Sequence, residues 1–596
     1  MAKLHQEGPA LYKTLEAETG QATGWHGCGA IRLALTDAEI DWFHYIKGIL
    51  DTVGSECHLI SPAEIRKLHP LLVVDDVKMG FYTPNDGHTD PASATNAMAT
   101  GARMGGAEIY RHTQVIGTRL LDSGEWEVVT DKGNIVCEHL VNAAGSFAKQ
   151  VGEWVGLDLP IVNMEHHYLV TENLAEVEAL DFEPPVVRDP KASCYYRQEQ
   201  QGILIGPYER SGAKAWGLDG IDWSFDMELL SPALERLETS LEHAAERIPC
   251  WTNAGIKRVV NGPITHTPDG NFLLGPAAGL RNYWLCCGAS IGITQGPGCG
   301  KYLAQWMVHG QTEINVREMD PRRYGNWASG DYAVAKSIDE YQQMYQPHLP
   351  GEYRDVGRPT RVTPLYNTLK DAGAVYGDTF GWERAKWYAQ KGVSEEYGFR
   401  RNNSFEVVGE ECRAVREAVG LTDLTSFSKY EVTGADANAL LERVCANRVP
   451  RHDGDVNLSQ MLTTLGGIES EATVTRLTGN HYYLLSGAVA ELHDLDWLVQ
   501  HIAPGEKVTV TNVTEGYGVL LLTGPRSRDV LSSLTDSGLT NEDGFAWMRA
   551  KGVTIAGIPV RALRVSYVGE LGWELHCKMD DLKRLYDTLI STGEKH

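Results

Sequence analysis

The sequence predicts a multidomain protein of mixed α/β and α+β class, and three observations carry that expectation. The chain has 596 residues, too many for one hydrophobic core, so three or four domains are expected. Residues 107–157 alternate strand-like runs with turns and then run into a helix, the pattern of a doubly wound unit. From 158 to 275 the strand-like runs are longer and more aromatic, before a stretch with five glycines in thirteen residues, Gly288-Ala-Ser-Ile-Gly292-Ile-Thr-Gln-Gly296-Pro-Gly298-Cys-Gly300.

Composition narrows the class of function. Apolar residues make up 42% and charged residues 22%, ordinary values for a globular chain. Lys and Arg total 54 against 79 Asp and Glu, a net charge of −25, which argues against nucleic acid or anionic membrane as the main partner. The 11 cysteines are scattered without a C-x-x-C pair. Neither a disulfide framework nor a structural zinc site is therefore expected, and no metal is assigned. No apolar run approaches the roughly 18 residues of a membrane span, and Met1-Ala-Lys-Leu-His-Gln-Glu7 has no signal-peptide core. The expected setting is a reducing compartment: the cytoplasm or, in a eukaryote, the mitochondrial matrix.

Each element has a local reason. Residues 11–19 read as a helix, and Trp25-His-Gly-Cys-Gly29 turns into an apolar strand at 30–35. Thr36-Asp-Ala-Glu39 and Ser61-Pro-Ala-Glu64 are capping boxes that open helices, the second with proline at the first helical position. Asp86-Gly-His88-Thr-Asp-Pro91 breaks the chain before an alanine-rich helix, and His88 is a loop histidine. Strands are expected at 109–116, 126–130 and 135–141. The last ends in Asn142-Ala143-Ala144-Gly145 and enters a helix whose apolar face is Phe147, Val151, Trp154 and Val155. Small residues at such a switch let a dinucleotide approach, or simply let strand and helix pack tightly. A dinucleotide-binding sheet usually opens with G-x-G-x-x-G, and no such motif occurs near the N-terminus. Strands at 164–171, 193–199 and 202–209 carry His166, His167, Tyr195, Tyr196 and Tyr208. The glycine-rich stretch reads as a loop feeding a helix from 301, with Leu303, Trp306 and Met307 on one face and Gly310 as its stop.

These pieces carry a resemblance. Leu140-Val-Asn-Ala-Ala-Gly145, Glu165-His-His-Tyr-Leu-Val-Thr-Glu172, Tyr195-Tyr-Arg-Gln-Glu199, Thr267-Pro-Asp-Gly270 and the segment 288–306 resemble the D-amino-acid-oxidase-like flavoproteins, in the dimethylglycine and sarcosine dehydrogenase branch. Gly357-Arg-Pro359, Thr363-Pro-Leu-Tyr366 and Gly373-Ala-Val-Tyr-Gly-Asp-Thr-Phe-Gly381 resemble that branch's small connecting domain. Leu424-Thr-Ser-Phe-Ser-Lys-Tyr430, Gly434-Ala-Asp-Ala437, Gly524-Pro-Arg-Ser-Arg528 and Tyr567-Val-Gly-Glu570-Leu-Gly-Trp-Glu574 resemble the folate-binding T-protein, the aminomethyltransferase of glycine cleavage.

The resemblance implies an FAD domain at 1–320 with an antiparallel-sheet substrate part, a connecting domain at 321–395 and a folate-binding domain at 396–596. It implies FAD and tetrahydrofolate as cofactors. The implied reaction moves a hydride from a small N-methylated amino acid to flavin and passes the one-carbon product to tetrahydrofolate. Electrons then go to an electron-transfer flavoprotein or to oxygen. His166, Tyr195 and Tyr196 are the implied catalytic residues of the first module, and Glu471 of the second. Val115, Ala143, Ala144, Gly145, Gly288, Gly292, Ile293, Gly296 and Gly298 are the implied flavin contacts, with Tyr567 and Glu570 for folate and Arg197 as a candidate for the substrate carboxylate. Three departures accompany it. The expected G-x-G-x-x-G unit and the last part of the folate module are missing from the chain, and Glu471 stands where the T-protein family usually has aspartate. The alternatives are a folate-binding aminomethyltransferase-like protein with a degenerate flavin half, or an inactive partial chain.

Overall fold

The computed structural model describes residues 1–328, 330–535 and 545–596. They fall into two compact units, Met1–Pro321 with Ala328–Leu349, and Arg322–Trp327 with Pro350–His596.

The first unit has nine helices among its described residues: α1 (Ala2–Thr19), α2 (Asp37–Thr52), α3 (Pro62–Leu68), α4 (Pro91–Met104), α5 (Ala148–Glu153), α6 (Ala175–Glu178), α7 (Glu238–Arg247), α8 (Gly292–His309) and α9 (Asp331–Gln342). Both capping boxes are made: Thr36 accepts from the Glu39 N–H, Ser61 from that of Glu64, and each glutamate returns the bond. Its strands are β1 (Ala30–Ala34), β2 (His58–Ile60), β3 (Met79–Thr83), β4 (Val115–Leu120), β5 (Trp126–Thr130), β6 (Gly133–Cys137), β7 (Leu140–Asn142), β8 (Val162–Thr171), β9 (Val186–Asp189), β10 (Cys194–Glu199), β11 (Gly202–Pro207), β12 (Ala215–Trp216), β13 (Ile256–His266), β14 (Leu273–Pro276) and β15 (Tyr283–Cys287).

A nine-stranded sheet runs β12-β8-β11-β10-β9-β1-β3-β2, with β13 also on β8. It is antiparallel except for β1 against β9. Strand alternation sends Ile31, Leu33, Val187, Tyr196, Ile203 and Ile205 into one core beneath α7. A second, three-stranded sheet runs β14-β15-β7, with β15 and β7 parallel. Its Leu274 and Trp284 pack with Leu4 of α1 and with Cys299, Tyr302 and Leu303 of α8. Strands β4-β5-β6 form a separate meander.

Three expectations are corrected here. The strand expected at 109–116 begins only at Val115. The run 135–141 divides between β6 and β7, because Leu140 leaves the meander to pair with Tyr283 of β15. The glycine-rich stretch is mostly helix, since α8 starts at Gly292 and contains Gly296, Pro297, Gly298 and Gly300. Two features make that helix workable. A Cβ on Gly298 would lie 2.4 Å from the Leu4 carbonyl oxygen, and one on Gly8 would lie 2.9 Å from that of Thr294, so glycine lets α1 and α8 meet backbone to backbone. Pro297 has no N–H for the Ile293 carbonyl, and the Tyr12 hydroxyl donates to that oxygen instead, at 2.7 Å. Leu303 is buried with Trp306 and Met307 beside it, and Gly310 ends the helix in the left-handed region.

The second unit is α+β. One five-stranded sheet contains Gly420–Asp423, Tyr517–Thr523, Gly572–Lys578, Ile558–Leu563 and Ala550–Ile555; the other contains Val456–Leu462, Ile468–Thr478, His481–Ser486, Ser428–Thr433 and Thr509–Asn512. All their pairings are antiparallel. Strands Ala374–Thr379 and Trp382–Tyr388 add a hairpin. No helix among the described residues is long and apolar enough to cross a membrane.

Candidate functional site

The chemistry-bearing face of the large sheet is the one opposite α7. Register places Arg32 of β1 beside Arg188 of β9, Arg188 beside Tyr195 of β10, and Tyr195 beside Gly206 of β11. A Cβ on Gly206 would lie 2.0 Å from Cζ of Tyr195. The bare glycine lets the tyrosine ring lie across β11 toward His166 of β8. The two rings stack at 6.2 Å with planes 18° apart. Tyr208 follows β11 and lies 4.5 Å from the His166 ring, 4.9 Å from Tyr341 and 5.6 Å from Tyr345. His266, at the end of β13, meets Tyr341 edge-on at 5.5 Å.

Hydrogen bonds bind this aromatic enclosure to a buried carboxylate. His166 Nδ1 lies 3.0 Å from the Tyr341 hydroxyl, and Tyr341 donates to Glu209 through a short hydrogen bond. Glu209 is buried, with Arg236 3.1 Å away and His167 3.6 Å away. Arg236 also pairs with Glu165 at 3.0 Å. Burial alone would raise the Glu209 pKa, but the contacts from His167, Tyr341 and Arg236 outweigh it and hold the pKa below its ordinary value. Burial lowers the His166 pKa to about 4. His266 falls to about 3 through burial and then the neighbouring His166. Both imidazoles are therefore neutral near pH 7. Neither ring nitrogen of His266 has a hydrogen-bond partner, although the residue is fully buried.

The arginines form the other end of the row. Arg32 lies 4.7 Å over the Trp42 ring. Its pKa falls to about 10, by burial first and then by the like charge of Arg188. The Arg188 charge also reaches Tyr208, Tyr345 and His5. Among the described residues no carboxylate approaches either guanidinium within ion-pairing distance. Arg197, the expected carboxylate partner, is occupied by Glu199 at 2.6 Å.

Other expected residues fall differently. Tyr196 is the neighbour of Tyr195, so strand alternation turns it to the opposite face. It is buried in the core beneath α7 with its hydroxyl 3.3 Å from Asp189, and it does not join His166. Val115 is 37% exposed on the separate meander. Ala143, Ala144 and Gly145 follow β7, where the Ala144 N–H donates to Asn142 Oδ1 at 3.2 Å and Gly145 has φ 57°. Gly288 has φ 79°, and a Cβ there would meet Thr267 at 2.7 Å. Gly292 opens α8, whose N-terminus has no side-chain cap, and Ile293 is 39% exposed. Gly296 has open space around it, whereas Gly298 faces Leu4 of α1.

The donor set fits the reactive-ring side of a flavin. Uncapped N–H groups at the start of α8 supply partial positive charge, and Gln295 beside them keeps a buried Oε1 without a partner. Residues 288–292, the first turn of α8 and Ala143 to Gly145 would hold that edge. His88, the loop histidine, shares Glu183 with His26: His88 Nε2 lies 2.6 Å from one carboxylate oxygen and His26 Nδ1 2.7 Å from the other. The three could ligate a metal by proximity. The two imidazoles, however, stack at 4.7 Å with planes 11° apart, so their in-plane lone pairs run side by side and do not converge.

In the second unit, Tyr567 packs on Phe427 at 6.1 Å, within reach of Thr473 and Glu471. Arg384 lies over the other ring at 5.7 Å. Glu471 is exposed and accepts from Gln460 at 2.6 Å. Glu570 is half-buried, while Glu574 is buried 3.3 Å from His576. Lys429 is fully buried beneath Phe427, and its ammonium donates to the carbonyls of Thr425 and Phe427 at 2.7 Å each.

Sequence reading missed Tyr341, Glu209, Arg236, Arg32 and Arg188. A signal existed for Arg32, a lone charge in the short apolar strand Ala-Ile-Arg-Leu-Ala, and a weaker one for Arg188, which follows two valines in Val-Val-Arg-Asp. None marked Tyr341, which lies on a helix 175 residues from His166.

Comparison with known proteins gives three family matches in order: FAD dependent oxidoreductase at residues 1–306, FAD dependent oxidoreductase central domain at 309–363 and GCVT N-terminal domain at 365–596. Dimethylglycine dehydrogenase, mitochondrial, of Mus musculus is 40% identical over 603 residues, covering 100% of this chain and 69% of that protein. Sarcosine dehydrogenase, mitochondrial, of Homo sapiens is 31% identical over 640 residues, with 98% and 68% covered. The 4-methylaminobutanoate oxidase (formaldehyde-forming) of Paenarthrobacter nicotinovorans is 30% identical over 600 residues, with 100% and 72% covered.

Proposed function

We propose, for a chain that belongs to the FAD dependent oxidoreductases in the group of dimethylglycine and sarcosine dehydrogenases, the oxidative demethylation of a small N-methylated amino acid. The observation that carries this reading is a neutral His166 stacked on Tyr195, with Arg188 one strand and Arg32 two strands beyond that tyrosine and no carboxylate among the described residues within ion-pairing distance of either guanidinium.

Bound FAD supplies the hydride acceptor. An N-methyl ammonium cannot release hydride until it loses its proton, so the site needs a base that is neutral at the working pH. His166 is the candidate: burial keeps its imidazole neutral, and because the same burial weakens it as a base, it takes the proton only from an amine whose own charged form the enclosure also disfavours. Tyr195 closes the enclosure over the amine and keeps water from it. Burial pushes its own pKa up, so the hydroxyl stays protonated and serves as a hydrogen-bond donor. Arg32 and Arg188 take the substrate carboxylate by charge-assisted hydrogen bonds, which orients the amine toward His166. The iminium left behind yields its one-carbon unit to tetrahydrofolate in the second unit. Pterin N–H donors would be accepted there by Glu570, with Tyr567 and Phe427 as the stacking wall. Electrons leave to an electron-transfer flavoprotein or to oxygen. The two mammalian relatives are named as mitochondrial, and a matrix location is proposed for a eukaryotic source.

Anaerobic titration of the FAD-loaded protein with dimethylglycine or sarcosine tests the reading. Bleaching of the flavin absorbance supports it. A folded, flavin-bound protein that neither substrate bleaches refutes it. If that protein still binds tetrahydrofolate, and loses it on Glu570→Ala, a folate-binding role without amine oxidation takes its place.

A further inference from the structure

We infer that Tyr341 and Glu209 are positioning residues that fix the tautomer of His166, leaving Nε2 as the nitrogen that takes the substrate's proton. The inference rests on the demethylation reading and assigns a role to two residues behind its base.

The argument is one of hydrogen-bond direction. Tyr341 has a single hydroxyl proton and two neighbours, the Glu209 carboxylate and His166 Nδ1. Glu209 is fully buried and is kept ionised by Arg236 and His167, so it can only accept. If Tyr341 donated to His166 instead, two oxygens without a proton between them would be pressed together inside the protein, at the cost of an unmade hydrogen bond to a charged group. The Tyr341 proton therefore belongs to Glu209. The tyrosine oxygen is then the acceptor for His166, and Nδ1 must carry the hydrogen. A neutral imidazole has one N–H, so Nε2 keeps its lone pair.

The same wiring supports proton transfer. When the substrate ammonium gives its proton to Nε2, its N–H bond breaks and an Nε2–H bond forms, and the imidazole becomes imidazolium. Its Nδ1–H remains on the Tyr341 oxygen and the Tyr341 proton remains on Glu209. The new positive charge faces a chain that ends in a buried carboxylate. The helix that brings Tyr341 is α9, whose Ala333 and Tyr341 pack against Met164 and Tyr208. Arg236, itself paired with Glu165, holds Glu209 from the other side.

Selective 15N labelling of histidine in the FAD-loaded protein, with the His166 signals identified by their loss in His166→Asn, reads the tautomer directly. The wild-type protein is expected to show a protonated Nδ1 and an unprotonated Nε2. In Glu209→Gln the amide N–H₂ can donate to the Tyr341 oxygen, which frees the tyrosine proton to point at Nδ1. The expected result is a switch to the Nε2–H tautomer and a flavin reduction rate roughly 10²–10⁴-fold slower, the usual worth of a misplaced general base. Tyr341→Phe removes the link altogether, and slowing of similar size is expected with the tautomer no longer fixed. A wild-type Nε2–H tautomer, or a folded Glu209→Gln protein that keeps Nδ1–H, overturns the proposal. If Glu209→Gln does not fold, the wild-type spectrum alone decides. None of these outcomes touches the demethylation reading, which fails instead if substrate does not bleach the flavin.

Discussion

Gly206→Ala is a small change with a calculable reach. The added Cβ would sit 2.0 Å from Cζ and 2.4 Å from the hydroxyl oxygen of Tyr195. Ordinary contact begins at about 3.4 Å, so the ring must move by roughly 1.5 Å or turn to another rotamer. The backbone has no such conflict. Gly206 has an ordinary φ and sits in a paired strand, and the loss of stability is that of a local overpacking, about 1–3 kcal/mol. Function should suffer more, because displacing a substrate-positioning side chain by about 1 Å can cost on the order of 10²-fold in rate. Stopped-flow reduction of bound flavin by dimethylglycine, read beside a thermal melt, separates the two effects. The expected result is a folded protein reduced about 10²-fold more slowly. A double-mutant cycle sharpens the test, since in a Tyr195→Ala background the added methyl meets no ring and should cost nothing further. Unchanged reduction in Gly206→Ala, or an equal loss in both backgrounds, would refute the assignment of Tyr195 to the wall of the site.

Three further outcomes are expected. Arg188→Ala should raise KM for dimethylglycine by at least about tenfold, as expected for a lost charge-assisted contact, while oxidation of trimethylamine, which has no carboxylate, stays as slow as before; equal effects on both would sink the carboxylate role. Gly298→Ala forces a methyl against the Leu4 carbonyl of α1 and should lower the stability of the first unit by about 1–3 kcal/mol, visible as an earlier melt without loss of tetrahydrofolate binding. Burial lowers the Lys429 pKa to about 7. Between pH 7 and the unfolded value of about 10.4 the unfolded chain holds a proton that the folded chain does not, so stability should rise with pH there by up to about 1.4 kcal/mol per unit. Chemical denaturation of the wild type against Lys429→Met checks it, and parallel slopes for the two proteins would contradict it.

The strands that build the site were legible because their side chains alternate and their ends carry glycine or turn residues. His166 and Tyr195 emerged from that pattern. The choice between Tyr195 and Tyr196 did not, because both faces of β10 are covered and neither neighbour reads as solvent-facing; pairing with Gly206 is what turns Tyr195 toward the histidine. The five glycines of 288–300 looked like one loop, yet they have two tasks. Gly288 takes a left-handed turn, and Gly298 lets two helices touch. Sequence alone does not reveal that second task, because the partner backbone belongs to α1, nearly three hundred residues earlier. Tyr341 and Glu209 were illegible for the same reason, since their meeting with His166 is a tertiary fact with no local signature. In the second unit Tyr567 and Phe427 each stood in a run that carries the folate-module resemblance, but the packing of the two rings on each other has no local signature.

The central claim is that neutral His166 is the base for N-demethylation. The most direct test is the anaerobic rate of flavin reduction by dimethylglycine in His166→Asn, a change that keeps a polar side chain of similar reach but removes the proton-accepting ring nitrogen. The account predicts a folded, FAD-bound variant reduced roughly 10²–10⁴-fold more slowly than wild type at neutral pH. Reduction at the wild-type rate would contradict it.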